Sequence, residues 1–264
     1  MFFDHPFPVL QPTPIVSGTS PSDAAASVHW ASLAGLLSAP EVTSYNRLRA
    51  RATFGHYATK RGALSRSRQN SWQLSLDGTW DFQLAPTPAD ALAQVDFGGD
   101  WASQLVPGHW VLQGHGNPHY TNTQLPFDED PPQTPEDNPT GIYRRRFELP
   151  ESWTGMRVVL RFGSADSALL LFVNGEFVGL SKDSRLPAEF DLTSRLRSGA
   201  NEVVAVVPKW CDATFIEDQD MWWLPGLARS VTLYATPMVF IGDVRAEAMV
   251  SVTGAGSGGG GLPS

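Results

Sequence analysis

The dipeptide Asn174-Gly175, set between the apolar run 168–173 and the segment that begins at Glu176, constrains this chain more than any other feature. Two residues of this type between two strand-like runs favour a tight hairpin, because both central positions need positive φ. A chain that turns this way builds antiparallel sheet. Other strand-length runs surround it. Residues 80–84 alternate after an Asp77-Gly78 turn, and 156–162 and 168–173 are largely apolar. In 143–149, Tyr143, Arg145 and Phe147 share one face while Arg144 and Arg146 take the other. Runs at 202–207 and 231–234 add two more strands. Strands at this spacing, with no long amphipathic helices between them, predict an all-β chain folded as a jelly-roll β-sandwich. Composition agrees: 24 glycines and 21 prolines with only 17% charged residues favour short strands and many turns over long helices.

The flanks read differently. Residues 6–21 carry Pro and Ser without periodicity and are expected to be extended or disordered. The Ala- and Leu-rich stretch 23–37 could form one helix, capped by Ser22 and ended by Pro40. Residues 45–68 are basic (Arg47, Arg49, Arg51, Lys60, Arg61, Arg66, Arg68) and read as a solvated linker lying on the rest of the protein. The stretch 107–139 holds seven prolines with Gly, Asn and His, so a long loop is expected there, and long loops in compact domains tend to carry function. Residues 239–250 begin strand-like, and 254–264 are Gly/Ser-rich in the manner of a linker or frayed end.

Several function classes are disfavoured. With 19 Lys plus Arg against 27 Asp plus Glu, the formal charge of -8 argues against a nucleic-acid or anionic-membrane surface. No run approaches the ~18 apolar residues that a membrane span needs. Residues 1–14 have four prolines and Asp4 where a secretory signal would need a basic start and an apolar stretch, so a cytoplasmic location is expected. The one cysteine, Cys211, cannot form an internal disulfide, and beside Trp210 it reads as a small buried residue rather than a thiolate nucleophile. His115 and His119 have helical ligand spacing, but Gly114, Gly116 and Pro118 argue against a helix, so solvated or hydrogen-bonded loop histidines are expected instead of a transition-metal site. There is no Gly-x-Ser-x-Gly elbow, and Gly258 to Gly261 lack the Lys-Ser/Thr of a phosphate loop.

The richest cluster runs from Trp210 to Trp223. It places four carboxylates (Asp212, Glu217, Asp218, Asp220) among four aromatic rings (Trp210, Phe215, Trp222, Trp223). Carboxylates accept hydrogen bonds from sugar hydroxyls or hold a hard cation, and rings cover the apolar face of a pyranose. Equally, acidic loops are usually solvated and tryptophans usually belong to a core. Paired carboxylates could also form a glycosidase dyad, but the sequence does not fix the separation that decides such chemistry.

At this cluster the sequence resembles a known family. Trp210-Cys211-Asp212 followed by Glu217-Asp218-Gln219-Asp220-Met221-Trp222 looks like the sugar-binding domain of glycoside hydrolase family 2 β-galactosidases of the long bacterial type. Other segments agree in order: Asn46-Arg47-Leu48, Leu76-Asp77-Gly78-Thr79-Trp80-Asp81-Phe82, Val106-Pro107-Gly108-His109-Trp110, and Tyr120-Thr121-Asn122. Asn138-Pro139-Thr140-Gly141-Ile142-Tyr143, Val173-Asn174-Gly175 and the run from Asp183 to Asp191 continue it.

The resemblance implies a galactose-binding-like jelly roll over 41–237, behind a loose, partly disordered N-terminal extension at 1–40. Residues 238–264 would be the start of a second domain and a tail. In the family an immunoglobulin-like domain, a TIM barrel with two catalytic glutamates and further β domains follow. By similarity Asn122 would hydrogen-bond the galactosyl hydroxyls, and Asp212 would bind galactose and help ligate an active-site sodium. The catalytic glutamates and the barrel's magnesium ligands have no counterpart here, so no residue is assigned a catalytic role, and the chain alone is expected to be silent. Glu217 and Asp218 are expected to support the Asp212 loop. The implied function is the N-terminal part of a retaining enzyme that hydrolyses terminal β-galactosides such as lactose. The implied partners are a β-galactoside or galactose, and the barrel domains or a complementing chain, with homo-oligomers possible. A free-standing carbohydrate-binding module and an interaction fragment are the other readings.

Overall fold

The structure, a computed structural model, describes residues 30–67, 71–93, 98–122 and 124–249. Along the chain come α1 (Trp30–Gly35), β1 (Ser44–Tyr45), α2 (Lys60–Ser65), β2 (Gln73–Ser75), β3 (Gly78–Ala85) and α3 (Pro88–Ala93). Then follow β4 (Ala102–Val106), β5 (Gly108–His109), β6 (His119–Thr121), β7 (Thr140–Leu149), β8 (Arg157–Phe162) and β9 (Leu169–Val173). The series closes with β10 (Glu176–Ser181), β11 (Ala188–Asp191), β12 (Gly199–Pro208), α4 (Thr214–Glu217), β13 (Met221–Trp223), β14 (Gly226–Leu227) and β15 (Val231–Thr236).

Two antiparallel sheets carry the fold. The larger has seven strands in the order β1-β10-β9-β12-β7-β3-β4, and the smaller has four in the order β11-β8-β15-β2. The expected all-β sandwich is therefore what the chain forms. The hairpin sits where Asn174-Gly175 predicts it, with Glu176 opposite Val173 and positive φ at Asn174 (52°) and Gly175 (83°).

Alternation along the strands assigns each face. Leu169, Leu171, Val203, Ala205, Trp80, Phe82 and Tyr143 point toward Leu160, Phe162, Phe190, Val231 and Leu233 of the smaller sheet, forming the core between the sheets. The intervening residues Leu170, Phe172, Val204, Val206 and Ile142 form a second core with Leu33, Leu37, Ala91 and Leu92. The middle of the larger sheet is thus covered on both faces, which is why every residue of β9 is buried, while β4 at its edge stays exposed on one face. Gly141 makes room for this packing: a Cβ there would lie 2.6 Å from the Trp110 ring and 2.9 Å from Phe82.

Several expectations need correction. The N-terminal extension is not loose throughout, because α1 and the turn after it insert Leu33 and Leu37 (4% and 1% exposed) into the second core. Residues 23–29 of the expected helix 23–37, with its Ser22 cap, lie outside the described residues, and α1 is its described part. The basic segment is more than a solvated linker. Arg47 donates to Asp183 at 3.1 Å, and Arg51 forks both oxygens of Glu189 at 3.0 and 3.1 Å. An arginine whose fork is matched by a carboxylate can be held against a sheet face that an unpaired one would leave. The stretch 107–139 is not all loop, since β5 and β6 lie in it and Trp110 is core. Residues 239–249 form no strand, as nothing among the described residues pairs with them. The Gly/Ser-rich segment lies outside the described residues.

Candidate functional site

β12 ends at Pro208 and hands the chain to Lys209, Trp210, Cys211 and Asp212, all buried. Two polar clamps fix this descent. The Asn138 amide donates to the Trp210 carbonyl at 3.0 Å, and its oxygen accepts from the Trp210 N–H at 2.9 Å. The Thr214 hydroxyl accepts from the Cys211 N–H at 3.1 Å, turning the chain into α4. Burial pushes the Cys211 thiol up to about 11, which leaves it protonated and inert at neutral pH.

Asp212 is only 8% exposed, and its charge is compensated. The Lys182 ammonium donates to Oδ2 at 2.7 Å and to the Ala39 carbonyl at 2.8 Å, while the Asp212 N–H donates to the Leu37 carbonyl at 2.8 Å. The segment after α1 and the end of β10 therefore set the position of this carboxylate together. Sequence reasoning passed over Lys182. The signal was present: strand alternation puts position 182 on the same face as the buried Leu180, and a buried ammonium requires an acid.

Asn122 follows directly on β6 and is exposed. β6 pairs with β13 in a two-stranded ribbon, with Thr121 opposite Met221 and Tyr120 opposite Trp222. Polar contacts lace the ribbon to the Asp212 loop. The Thr121 hydroxyl donates to Asp218 at 2.6 Å and accepts from the Trp223 indole at 2.9 Å, and the Tyr120 hydroxyl donates to Asp220. Glu217 accepts from the Ser184 hydroxyl and stands 3.6 Å from the Arg185 guanidinium. Glu217 and Asp218 are thus engaged in holding this loop surface together.

The four rings of the cluster do not act alike. Trp210 (3% exposed) and Trp223 (1%) stand edge to face, 5.2 Å apart, and Phe127 packs edge-on against both Trp210 and Phe215. Trp210 and Trp223 cannot cover a sugar. Trp222 and Tyr120, ring centres 5.5 Å apart, are the exposed rings of the ribbon. The cluster is therefore part core and part surface, divided by strand alternation.

Under the ribbon, burial drives the Lys209 ammonium down to about 8, with Asp137 opposing the shift. Its Nζ lies 2.5 Å from His119 Nδ1, and burial first, then the Lys209 charge, holds His119 below the usual imidazole range. On the other side of the loop Asp166 is pushed up to about 6 by burial, against the Arg185 guanidinium 3.4 Å away.

Among the described residues no group of three or more His, Cys, Asp or Glu side chains is placed to hold a metal ion. Asp212 offers one uncommitted carboxylate oxygen, beside an ammonium on the other. That donor set does not make a sodium site by itself, because a hard cation needs several oxygens around it.

These features define a class of protein: a β-sandwich domain with one loop surface of carboxylates, amides and exposed rings suited to hydroxylated ligands. The family model described as "Glycosyl hydrolases family 2, sugar binding domain" matches residues 74–237, and the chain belongs to that family. The Beta-galactosidase of Psychromonas ingrahamii is 41% identical over 208 residues, covering 77% of this chain and 20% of that protein. The Beta-galactosidase of Vibrio vulnificus is 46% identical over 198 residues, covering 73% of this chain and 19% of its own length. The chain thus spans about a fifth of the length of the curated relatives it matches. Among solved structures, a β-glucuronidase from Ruminococcus gnavus in complex with D-glucaro-d-lactam aligns with a TM-score of 0.48 at 21% identity, over 63% of this chain and 29% of that one.

Proposed function

We propose that this chain is the N-terminal, substrate-contacting part of a retaining β-galactosidase that hydrolyses terminal β-galactosides of the lactose type. The observation that carries the reading is the fixed placement of Asp212, held by Lys182 and two backbone contacts. It lies within a family-matched region whose curated relatives are named Beta-galactosidase. Asn122 offers an amide to galactosyl hydroxyls, and Asp212 accepts from them. Asp212 contributes at most one oxygen to a sodium site completed elsewhere, and the magnesium ligands belong to domains outside this chain. A retaining mechanism needs a carboxylic acid and a nucleophilic carboxylate about 5–5.5 Å apart across the scissile bond. In this proposal both come from a barrel domain of the family type, not from residues 41–237. No helix among the described residues is long and apolar enough to cross a membrane. A cytoplasmic location is part of the proposal and rests only on the prolines and Asp4 of residues 1–14.

A second reading, a scaffold piece that complements a barrel-bearing chain, is favoured by one observation. Met238, Val239, Ile241, Val244 and Met249 are each more than half exposed in the segment after β15. One assay separates the readings: hydrolysis of a chromogenic β-galactoside by the chain alone and mixed with a barrel-containing fragment of a relative. Activity only in the mixture is the expected result, and it would be lost in the Asp212→Ala variant. Activity of the chain alone would overturn the proposal.

A further inference from the structure

The outer face of the four-stranded sheet carries a cavity that the sugar reading does not use. Arg161 of β8 and Thr232 and Tyr234 of β15 point away from the core there, on the face opposite Leu160 and Leu233. Residues 51–57 form one wall, and Arg66 and Arg229 complete the rim of a space of about 850 Å³. That is within the roughly 300–1,000 Å³ range of small-molecule sites.

Its charge runs against that of the whole chain. The protein carries a formal charge of -8, yet the cavity gathers Arg51, Arg66, Arg161 and Arg229 around a single carboxylate, Glu189. Glu189 is already satisfied. Arg51 forks both of its oxygens, the Tyr234 hydroxyl donates to Oε2 at 2.9 Å, and Arg161 stands off at 3.7 Å. Of the remaining guanidinium donors, Arg229 gives one N–H to the Arg185 carbonyl at 2.7 Å. The Arg66 side chain makes no ion pair or hydrogen bond among the described residues. Three guanidiniums with unspent N–H groups line this one space, and they match an acceptor with oxygens on several sides. Planar arginine forks suit phosphate-type groups, and a partly enclosed site strengthens each contact.

We propose that this cavity is a binding site for a compact tetrahedral oxyanion, of the phosphate or sulfate type, gripped by Arg66, Arg161 and Arg229. A carboxylate has two oxygens, enough for one fork, whereas a tetrahedral anion can accept from three directions at once. Hydroxyls of Ser230 and Thr232 line the same space and supply further donors. The site lies on the smaller sheet, whereas Asp212 follows β12 of the larger one, so it does not depend on the galactoside reading.

The test is calorimetric titration of the chain with inorganic phosphate and with sulfate, at constant ionic strength set by sodium chloride. Saturable 1:1 binding is expected, weakened about tenfold or more by Arg229→Gln and by Arg66→Gln, as loss of a charged hydrogen bond implies. Arg245→Gln, outside the cavity, should leave affinity unchanged. Arg229 also holds a backbone carbonyl, so if that variant fails to fold, Arg66→Gln decides. No saturable binding, an equal response to chloride, or unchanged affinity in Arg66→Gln would each overturn the assignment. So would tighter binding of an acidic peptide than of phosphate, which would give the cavity to a protein segment.

Discussion

Trp223 lies 1% exposed beneath the β6–β13 ribbon, whereas Trp222, the residue before it, is 57% exposed on the outer side. The pair summarises two regions with different rules. In the sandwich, β9, the first four residues of β7 and the last six of β12 are buried on both faces, and side chains there are chosen by volume. In the ribbon only the inner side is bound to the rest of the domain, through the edge-to-face contact of Trp223 with Trp210, while the Trp223–Thr121 bond ties the two ribbon strands to each other. Its outer side is free to carry residues selected by what they touch. A tryptophan in one region is structural, and a tryptophan one step away in the other is available to a ligand.

The sharpest way to break that comparison is to attack the buried pair between the regions. Lys182→Met leaves Asp212 buried without its counter-ion and should destabilise the fold by roughly 3–5 kcal/mol in urea unfolding. The double variant Lys182→Met/Asp212→Leu should recover most of the loss, because a well-packed apolar pair can replace a buried ion pair at little cost. A loss below about 1 kcal/mol in the single variant would mean that Asp212 is wetter than its burial indicates. In the sandwich, Phe172→Ala removes a fully buried ring packed on Phe177 and should cost about 3–5 kcal/mol, with no partner substitution able to rescue it. Rescue in one region and none in the other is the expected contrast.

Asp166 supplies the next effect. Its folded pKa, about 6, lies above the ordinary 3.8, so the folded chain holds the proton more tightly than the unfolded one. The stabilisation is fully present below about pH 4 and is lost as pH rises through 6, on the order of 2–3 kcal/mol. Asp166→Asn should flatten stability between pH 4 and 6 and exceed the parent at pH 7. An unchanged profile would show that the Arg185 contact outweighs burial.

How much of this could be read from the sequence follows the same division. The hairpin at Asn174-Gly175 and the long strands were legible because local turn chemistry and apolar runs point the same way there. The second core was not, because a strand buried on both faces looks the same in sequence whatever layer covers it. Its covering helix α3 did leave a trace. Thr87 caps the helix start, its hydroxyl accepting from the Asp90 N–H at 3.1 Å and donating to the Asp90 carboxylate at 2.7 Å. The short strands β2, β4 and β11 escaped because each carries polar residues and only one to three apolar ones. At the site, composition singled out the loop that carries Asp212. It could not say which rings faced out, since that depends on the partner strand β6 a hundred residues earlier in the chain.

The smallest expected effect on stability is also the most direct test of the ribbon's two sides. Trp222→Ala removes a ring that is more than half exposed, whose contact is Tyr120 beside it. Surface changes of this kind usually shift stability by less than about 0.5 kcal/mol, so the unfolding midpoint should hardly move. If the outer side carries ligand contacts, the change should fall on complementation with the barrel fragment, as a reduced rate at low β-galactoside concentration that high concentration restores. Trp223→Ala should do the opposite, lowering stability by roughly 3–5 kcal/mol through the lost ring, the Thr121 bond and the Trp210 edge contact. Equal behaviour of the two variants in both assays would erase the distinction between the regions. A Trp222→Ala chain that complements normally would confine the functional surface to Asn122 and Asp212.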